Sequence, residues 1–566
     1  MGGFFLTNNI AHPIERNVMK LLEKKSQEVV TYNLGEFRLY YFRRVNTWER
    51  ESIFEQSEDK IFGIGTIIYK NRVGTQALKH IYQDLIESNH DLGILNDIKG
   101  HYNIILYIDR ELSVITDRIG AYHSFVAKEE DSIFISSSLF AIAENLHSLS
   151  IRKQEIMEFI ASKAFYGPTT IFEEITFLPF GHVHKMKSSN FASFPFHQDM
   201  GPLSEYTLED HMNRIRSHLK PLKELQISIT ADISGGYDSR LVCAILNHMN
   251  IDYTLSTNTN SQDSLDLKIA SLIAKGEDRP LVVYEKNFDR NNYETLIDNS
   301  IFINELFRGA YGSEYSHIFF SEKTRDFDMI LGGYGGELYR DTKYKGIADY
   351  EELIRKKYVH RDLDGIFSHD DIELLHQDLK RKMSGYVTHN NNELSKMDCE
   401  RIYYYQRMMY WGGARVNIFN AYGLRYHPLL EYEVIHPLFY IDDSEKGKGK
   451  FLMQLMEKFD PRLASYPSGY GHNFIWSEYE GKRELPNIIN VPLNLLFKVY
   501  RKITQRHTTV TLDQDRSVWH KKMKNHFLIE KLFDQFDARK SEKYLSTIYS
   551  VEEVLRTFQD KIECFG

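Results

Sequence analysis

The stretch ISITADISGGYDSRLVCAIL, residues 227–246, holds a strand signal, a hexapeptide of small and acidic residues, and a helix signal in immediate succession. Ile227, Ile229, Ala231 and Ile233 alternate with polar neighbours, the period of a strand, and from Leu241 onward the apolar spacing is helical. Between them lies Ser234-Gly235-Gly236-Tyr237-Asp238-Ser239, a strand-to-helix turn of the kind that meets ligands at the carboxyl end of an open α/β sheet. Paired glycines permit positive φ and let backbone N–H groups approach an anion, which the start of the following helix also attracts. Ser234 and Ser239 add hydroxyl donors. Asp238 among these donors calls for an intervening cation, and Mg²⁺ is the one that joins carboxylate to phosphate oxygens. No GxxxxGK[ST] motif occurs in the chain, so no lysine is set to reach a terminal phosphate, and the loop reads as a pyrophosphate cradle.

Strand and helix signals alternate after this turn: LSTNT at 255–259, SLDLKIASLIA at 264–274, then PLVVYEK. The pattern predicts a parallel sheet with helical crossovers. Upstream, from about residue 30 to 150, short β-branched and aromatic runs split by turns predict a layered α+β domain, with one helix in TQALKHIYQDLIESN. The polar, Pro- and Gly-containing stretch 188–206 separates the two, and beyond residue 350 helical periods prevail. The organisation expected is therefore 1–190, 205–480 and a helical extension, 481–566. At 566 residues the chain exceeds a single core.

The composition excludes several classes. A net charge of −9 opposes sequence-independent nucleic-acid binding, which needs a surplus of cations. Cys243, Cys399 and Cys564 are scattered and odd in number, which fits neither a disulfide framework nor a paired-cysteine zinc site and predicts a reducing, cytoplasmic setting. No apolar run is long enough to span a membrane. The basic run Lys498–His526 would suit an acidic partner or a phosphate-bearing substrate but reads first as a solvated helix face, and nothing in the sequence sets an oligomeric state.

The hexapeptide SGGYDS resembles the pyrophosphate loop of the asparagine synthetase family, and further segments resemble that family in the same order. LSTNT resembles the strand whose end contacts adenine, LGGYGGEL at 331–338 the second signature loop, and GLRYHPLLEYEV at 423–434 a segment further on. GHYNIILYIDRELSVITDRIGAYHSF, SSSLFAIAE and TTIFEEITFLPFGHV resemble the preceding glutaminase domain. The resemblance implies an Ntn-hydrolase-like (class II glutamine amidotransferase-like) α+β domain followed by a parallel α/β domain of the PP-loop type. It implies ATP held by Ser234, Gly235, Gly236, Asp238, Ser239, Ser256, Thr257 and Gly333, Mg²⁺ at Asp238 and Glu337, and Tyr334 as the base.

Three departures bear on activity. Where the family's glutaminase has a nucleophilic cysteine after the initiator Met, this chain has Gly2, which has no side chain to attack an amide, so glutamine hydrolysis is expected to be absent. Tyr334 stands where the family usually has glutamate, as in the β-lactam and carbapenam synthetases, and would need a carboxylate partner; Asp370, Asp371 and Glu373 are candidates by separation alone. Ser468, in ASYPSGYGHNF, stands at the place of a lysine that neutralises charge on pyrophosphate, with Arg240, Lys446, Lys448 and Lys450 as possible substitutes and His472 and Asn473 as possible substrate contacts. The expected activity is an AMP-forming ligase joining a carboxylate to an amine within the same small molecule or peptide, as in β-lactam closure or the macrolactam closure of lasso peptides. A nucleotide-binding scaffold without turnover, and ammonia-dependent amidation of a sugar acid or amino acid, are the alternatives.

Overall fold

The computed structural model describes residues 2–10, 16–18, 28–44, 49, 51–196, 200–201, 203, 206–259, 261–285, 301–302, 304–306, 327–340, 344, 346–359, 363, 365–387, 392–420, 423–481, 528–537 and 544–563. The basic run at 498–526 lies outside them.

The first half is a layered α+β unit built on two antiparallel sheets. One runs, edge to edge, through Thr176–Phe177, Phe125–Glu129, Ser132–Ser136, Gly3–Thr7, Phe37–Phe42 and Val29–Leu34. The other runs through Asn190–Pro195, His182–Lys187, Glu111–Thr116, Lys99–Ile108, Asp59–Tyr69 and Ser52–Gln56, with Arg72–Val73 paired onto Asp59–Tyr69. Strand periodicity shows why they layer. Phe62 and Ile64 face the first sheet's Tyr41 and belong to the main core, while Ile61 and Ile67 face the helix Gly74–Glu87 through Leu78, Ile81 and Leu85. The Tyr41 hydroxyl donates to the Gly63 carbonyl at 2.8 Å, tying the sheets together.

The second half holds a five-stranded parallel sheet. Its strands are β1 (Ile229–Asp232), β2 (Thr254–Thr259), β3 (Leu281–Glu285), β4 (Met329–Leu331) and β5 (Leu424–Tyr426), in the order β3-β2-β1-β4-β5. Helix α1 (Tyr237–His248) connects β1 to β2, and α2 (Leu265–Gly276) connects β2 to β3. From β1 two strands, β2 and β3, build one way and two, β4 and β5, the other, so β1 and β4 flank the point where the winding reverses. That crevice, beyond the carboxyl ends, is where such sheets take ligands.

The halves meet along β5, which lies beside strands Asp59–Tyr69 and Lys99–Ile108. Thr66 Oγ1 donates to the Arg425 carbonyl at 3.0 Å, the Gly100 amide donates to Glu431 at 2.8 Å, and the His427 amide donates to His101 Nε2 at 3.1 Å. Asn417 binds both main-chain groups of His123, at 2.7 and 2.8 Å. The helix Leu545–Thr557, within the region expected as an extension, returns to the first half, where Phe558 meets Phe140 and Phe172 edge-on at 5.4 and 5.7 Å. No described helix is long and apolar enough to cross a membrane. Cys243 and Cys399 are buried free thiols.

His101 and His123 are fully buried in this seam, and burial lowers each from 6.5 to about 4. Their folded-state values lie below the ordinary one, so between those limits the unfolded chain binds the extra protons and stability falls as pH falls. His101 Nε2 must also stay unprotonated to accept the His427 amide. Thermal midpoints measured from pH 7.5 to 5 should therefore drop progressively, and His123→Asn should flatten part of that slope; a midpoint unchanged across the range would contradict a neutral buried seam.

Candidate functional site

The hexapeptide occupies the turn between β1 and α1, with Gly236 capping the helix in extended conformation, at φ −89°. Neither Gly235 nor Gly236 has positive φ, which corrects one reason given above for the paired glycines. Space is the reason they are required: a Cβ on Gly235 would fall 2.9 Å from Ile269, 3.0 Å from Asp266 and 3.1 Å from the Gly469 amide. The turn is braced internally. Ser239 Oγ accepts from the Ser234 amide at 3.2 Å and lies 3.0 Å from Ser234 Oγ, which accepts from the Gly236 amide at 3.2 Å. The Gly235 amide donates to Asp266 Oδ1 at 2.8 Å, so a carboxylate from α2 holds one donor expected to face phosphate.

The second glycine loop, after β4, packs its backbone onto the first turn of α1. A Cβ on Gly333 would lie 2.4 Å from the Asp238 carbonyl carbon, and one on Gly336 would lie 2.6 Å from Asp238 Cγ. Gly335 adopts φ +107°, with the Leu429 carbonyl 2.5 Å from where a Cβ would be, so both conformation and space demand glycine. This approach brings Asp238 and Glu337 together. Asp238 Oδ1 and Glu337 Oε2 are both buried without a hydrogen-bond partner. Burial, and then the Glu337 carboxylate, push Asp238 up to about 7, opposed by the Arg340 guanidinium, which donates to Asp238 Oδ2 at 3.3 Å. Two orphaned carboxylate oxygens beside a hydroxyl-rich turn form the hard-oxygen donor set that Mg²⁺ takes while retaining waters. The residues present fit the ion.

Ser256 and Thr257 lie on β2, level with this crevice and buried. Ser256 Oγ donates to Asp232 Oδ1 at 3.0 Å, and Asp232 is also ion-paired with Arg425. Tyr334 is brought to the same loop, but its hydroxyl turns away and donates to the Met408 carbonyl at 3.1 Å. That carbonyl belongs to a π-helical segment, Tyr403–Gly412. Gly412 admits the ring, since a Cβ there would fall 1.9 Å from Tyr334 Cε1. Burial first, then Glu337 and Tyr403, raise Tyr334 well above the usual phenol value. The geometry thus makes Tyr334 a protonated donor, which corrects its expected part as base. The carboxylate it senses is Glu337. Asp370 and Glu373 are exposed, and Asp371 caps the start of the helix His369–Ser384 with Ser368.

The Ser468 loop docks on the hexapeptide through Gly469, whose amide donates to the Gly235 carbonyl at 2.9 Å. Ser468 itself donates to the His472 carbonyl, and Asn473 binds Glu478. Arg240 is committed to the Tyr466 and Pro467 carbonyls, both at 2.8 Å, Lys446 to Glu400 at 2.8 Å, and Lys450 to Glu445 at 2.8 Å. Sequence reasoning missed Arg340 and Asp266. Their only signals were a cation one turn beyond the second glycine loop and an acid opening the helix after LSTNT. A separate group, His218, Glu431 and Glu433, brings three ligand atoms within 4.8 Å, but Glu431 accepts from Gly100 and Glu433 pairs with Arg118, so these acids serve the seam between halves.

At the other end of the chain, Gly2 is buried against Arg44. A Cβ there would fall 2.9 Å from Arg44 Cγ and 3.0 Å from the Asn420 carbonyl, while Arg44 is held by the Gly65 carbonyl at 2.6 Å. The position expected to bear a nucleophile is therefore filled as well as lacking a side chain.

No family model matches the chain, and no curated protein does. Among solved structures, "Structure of the allosteric regulatory enzyme of purine biosynthesis" superposes with TM-score 0.24 at 11% identity, covering 50% of this chain and 80% of that one. Glutamine phosphoribosylpyrophosphate amidotransferase from B. subtilis, complexed with ADP and GMP, gives 0.22 at 11% identity over 52% and 70%.

Two outcomes follow from this geometry. In metal-free protein at pH 8, above the Asp238 value, the buried charge opposes folding, so Asp238→Asn should raise the thermal midpoint by a few degrees; added Mg²⁺ should raise the native midpoint further and the variant's not at all, and an equal Mg²⁺ response in both would exclude the pair as a binding site. Gly2→Cys should release no glutamate from glutamine, as measured by coupled glutamate oxidation, because Arg44 occupies the space.

Proposed function

We propose that the protein is an ATP- and Mg²⁺-dependent ligase of the asparagine synthetase type, with an Ntn-hydrolase-like first domain that has lost glutaminase chemistry and a PP-loop-type second domain. The observation that carries this is the pair of buried, unpartnered oxygens of Asp238 and Glu337 at the reversal point of the parallel sheet, beside the hydroxyls of Ser234 and Ser239. In this reading a carboxylate oxygen of the substrate attacks the α-phosphorus of ATP, and the bond to pyrophosphate breaks. An amine then attacks the acyl carbon and AMP leaves, with one proton released. A bound Mg²⁺ would supply charge neutralisation at the phosphates. Asp238 and Glu337 would hold it, the α1 amides and the two serines would bind phosphate oxygens, and Ser256 and Thr257 would border adenine.

The amine comes from the substrate or from free ammonia, since Gly2 offers no means of releasing it from glutamine. Tyr334, its hydroxyl spent on the Met408 carbonyl, serves to anchor the loop that carries Glu337 rather than to accept a proton. A second reading, a nucleotide-binding protein without turnover, is favoured by Ser468, whose hydroxyl is spent on its own loop where a lysine would meet pyrophosphate. Pyrophosphate release from ATP, screened across carboxylates carrying amines, separates the two. The ligase should release pyrophosphate with at least one, and Asp238→Ala should lower the rate by roughly 10²-fold or more, as loss of one electrostatic group in a closed site does. ATP binding with no release or exchange under any substrate would favour the second reading.

A further inference from the structure

We propose that Arg340 is the cation that binds the pyrophosphate portion of the nucleotide, in place of the lysine absent at Ser468; this rests on the nucleotide reading above. Arg340 follows the short helical turn Gly336–Tyr339 that carries Glu337. Its Nη2 lies 3.3 Å from Asp238 Oδ2, and its guanidinium sits 5.4 Å from the ring centroid of Tyr237, the first residue of α1. Its Nε is buried with no hydrogen-bond partner. The side chain is therefore fixed at the hexapeptide with donor capacity in hand.

Of the four cations suggested by sequence, three are committed elsewhere and the fourth, Lys448, is exposed. Arg240 is bound to two carbonyls and packed on Phe474 at 4.5 Å, while Lys446 and Lys450 are paired with Glu400 and Glu445. Charge counting points the same way. Asp238 and Glu337 together balance one divalent cation, and the diphosphate brings further negative charge that a nearby cation must meet. With Asp238 engaged by a cation, the Arg340 fork would be free to meet phosphate oxygens, whose spacing a guanidinium matches with two parallel donors.

Two probes, Mg²⁺·pyrophosphate and AMP, test this separately by calorimetry on the full chain. Native protein should bind both. Arg340→Ala and Arg340→Met should weaken pyrophosphate binding by roughly 10- to 100-fold, the range for losing a charged hydrogen-bond donor, while AMP affinity stays within about twofold. Arg340→Met keeps an unbranched apolar side chain at the position, so loss in both variants would be a loss of charge. Arg340→Lys should recover part of the affinity. Native-like pyrophosphate affinity in the Met variant overturns the proposal, and so does equal loss of both probes, which would make Arg340 a support of the loop. Native protein that binds neither probe removes the nucleotide reading itself.

Discussion

The contact between two backbones governs the second half of this protein. The loop after β4 lies so close to the first turn of α1 that Gly333 and Gly336 leave no room for side chains against Asp238. That approach places Glu337 beside Asp238, with one oxygen of each buried and unsatisfied. Buried carboxylates of like charge oppose folding unless a cation joins them. Arg340 offsets part of that cost.

The seam between the halves is built from paired polar groups. Asn417 satisfies both main-chain groups of His123, Glu431 accepts from Gly100, and the Thr66 hydroxyl is placed between Arg425 and Asn420. Such groups are stable in a dry interface only when their partners are held in register. The π-helical segment Tyr403–Gly412 carries this register to the crevice, because its Met408 carbonyl receives Tyr334 while Gly412 and Gly413 make room for Tyr334 on one side and His123 on the other. The first half, with Gly2 closed off by Arg44, therefore acts on the second through packing.

Much of the architecture was legible in the residues. Period-two runs predicted the antiparallel strands, and alternation after residue 225 predicted the parallel sheet, because burial imposes those periods on any chain that folds so. The turn from Ser234 to Ser239 was named from local pattern, Gly333 and Glu337 only through a resemblance of their loop, and the second loop does pack onto the first at the strand ends. The parts assigned to individual side chains were less legible. Tyr334 reads as a base until its hydroxyl is found on a carbonyl, and Arg240 reads as a phosphate cation until it is found holding the Ser468 loop.

What the sequence determined by itself was therefore the local order: a strand, a glycine-rich turn, a helix with an acid in its first turn, and a second glycine-rich turn further on. Those follow from periodicity and backbone freedom, which act over a few residues. Only the tertiary structure decided that Asp238 and Glu337 come together, that Arg340 stands beside them, that Asp266 reaches the Gly235 amide, and that Arg44 fills the space beyond Gly2. Each of these joins residues far apart in the chain, and the direction of a side chain is set by the neighbours that folding brings to it.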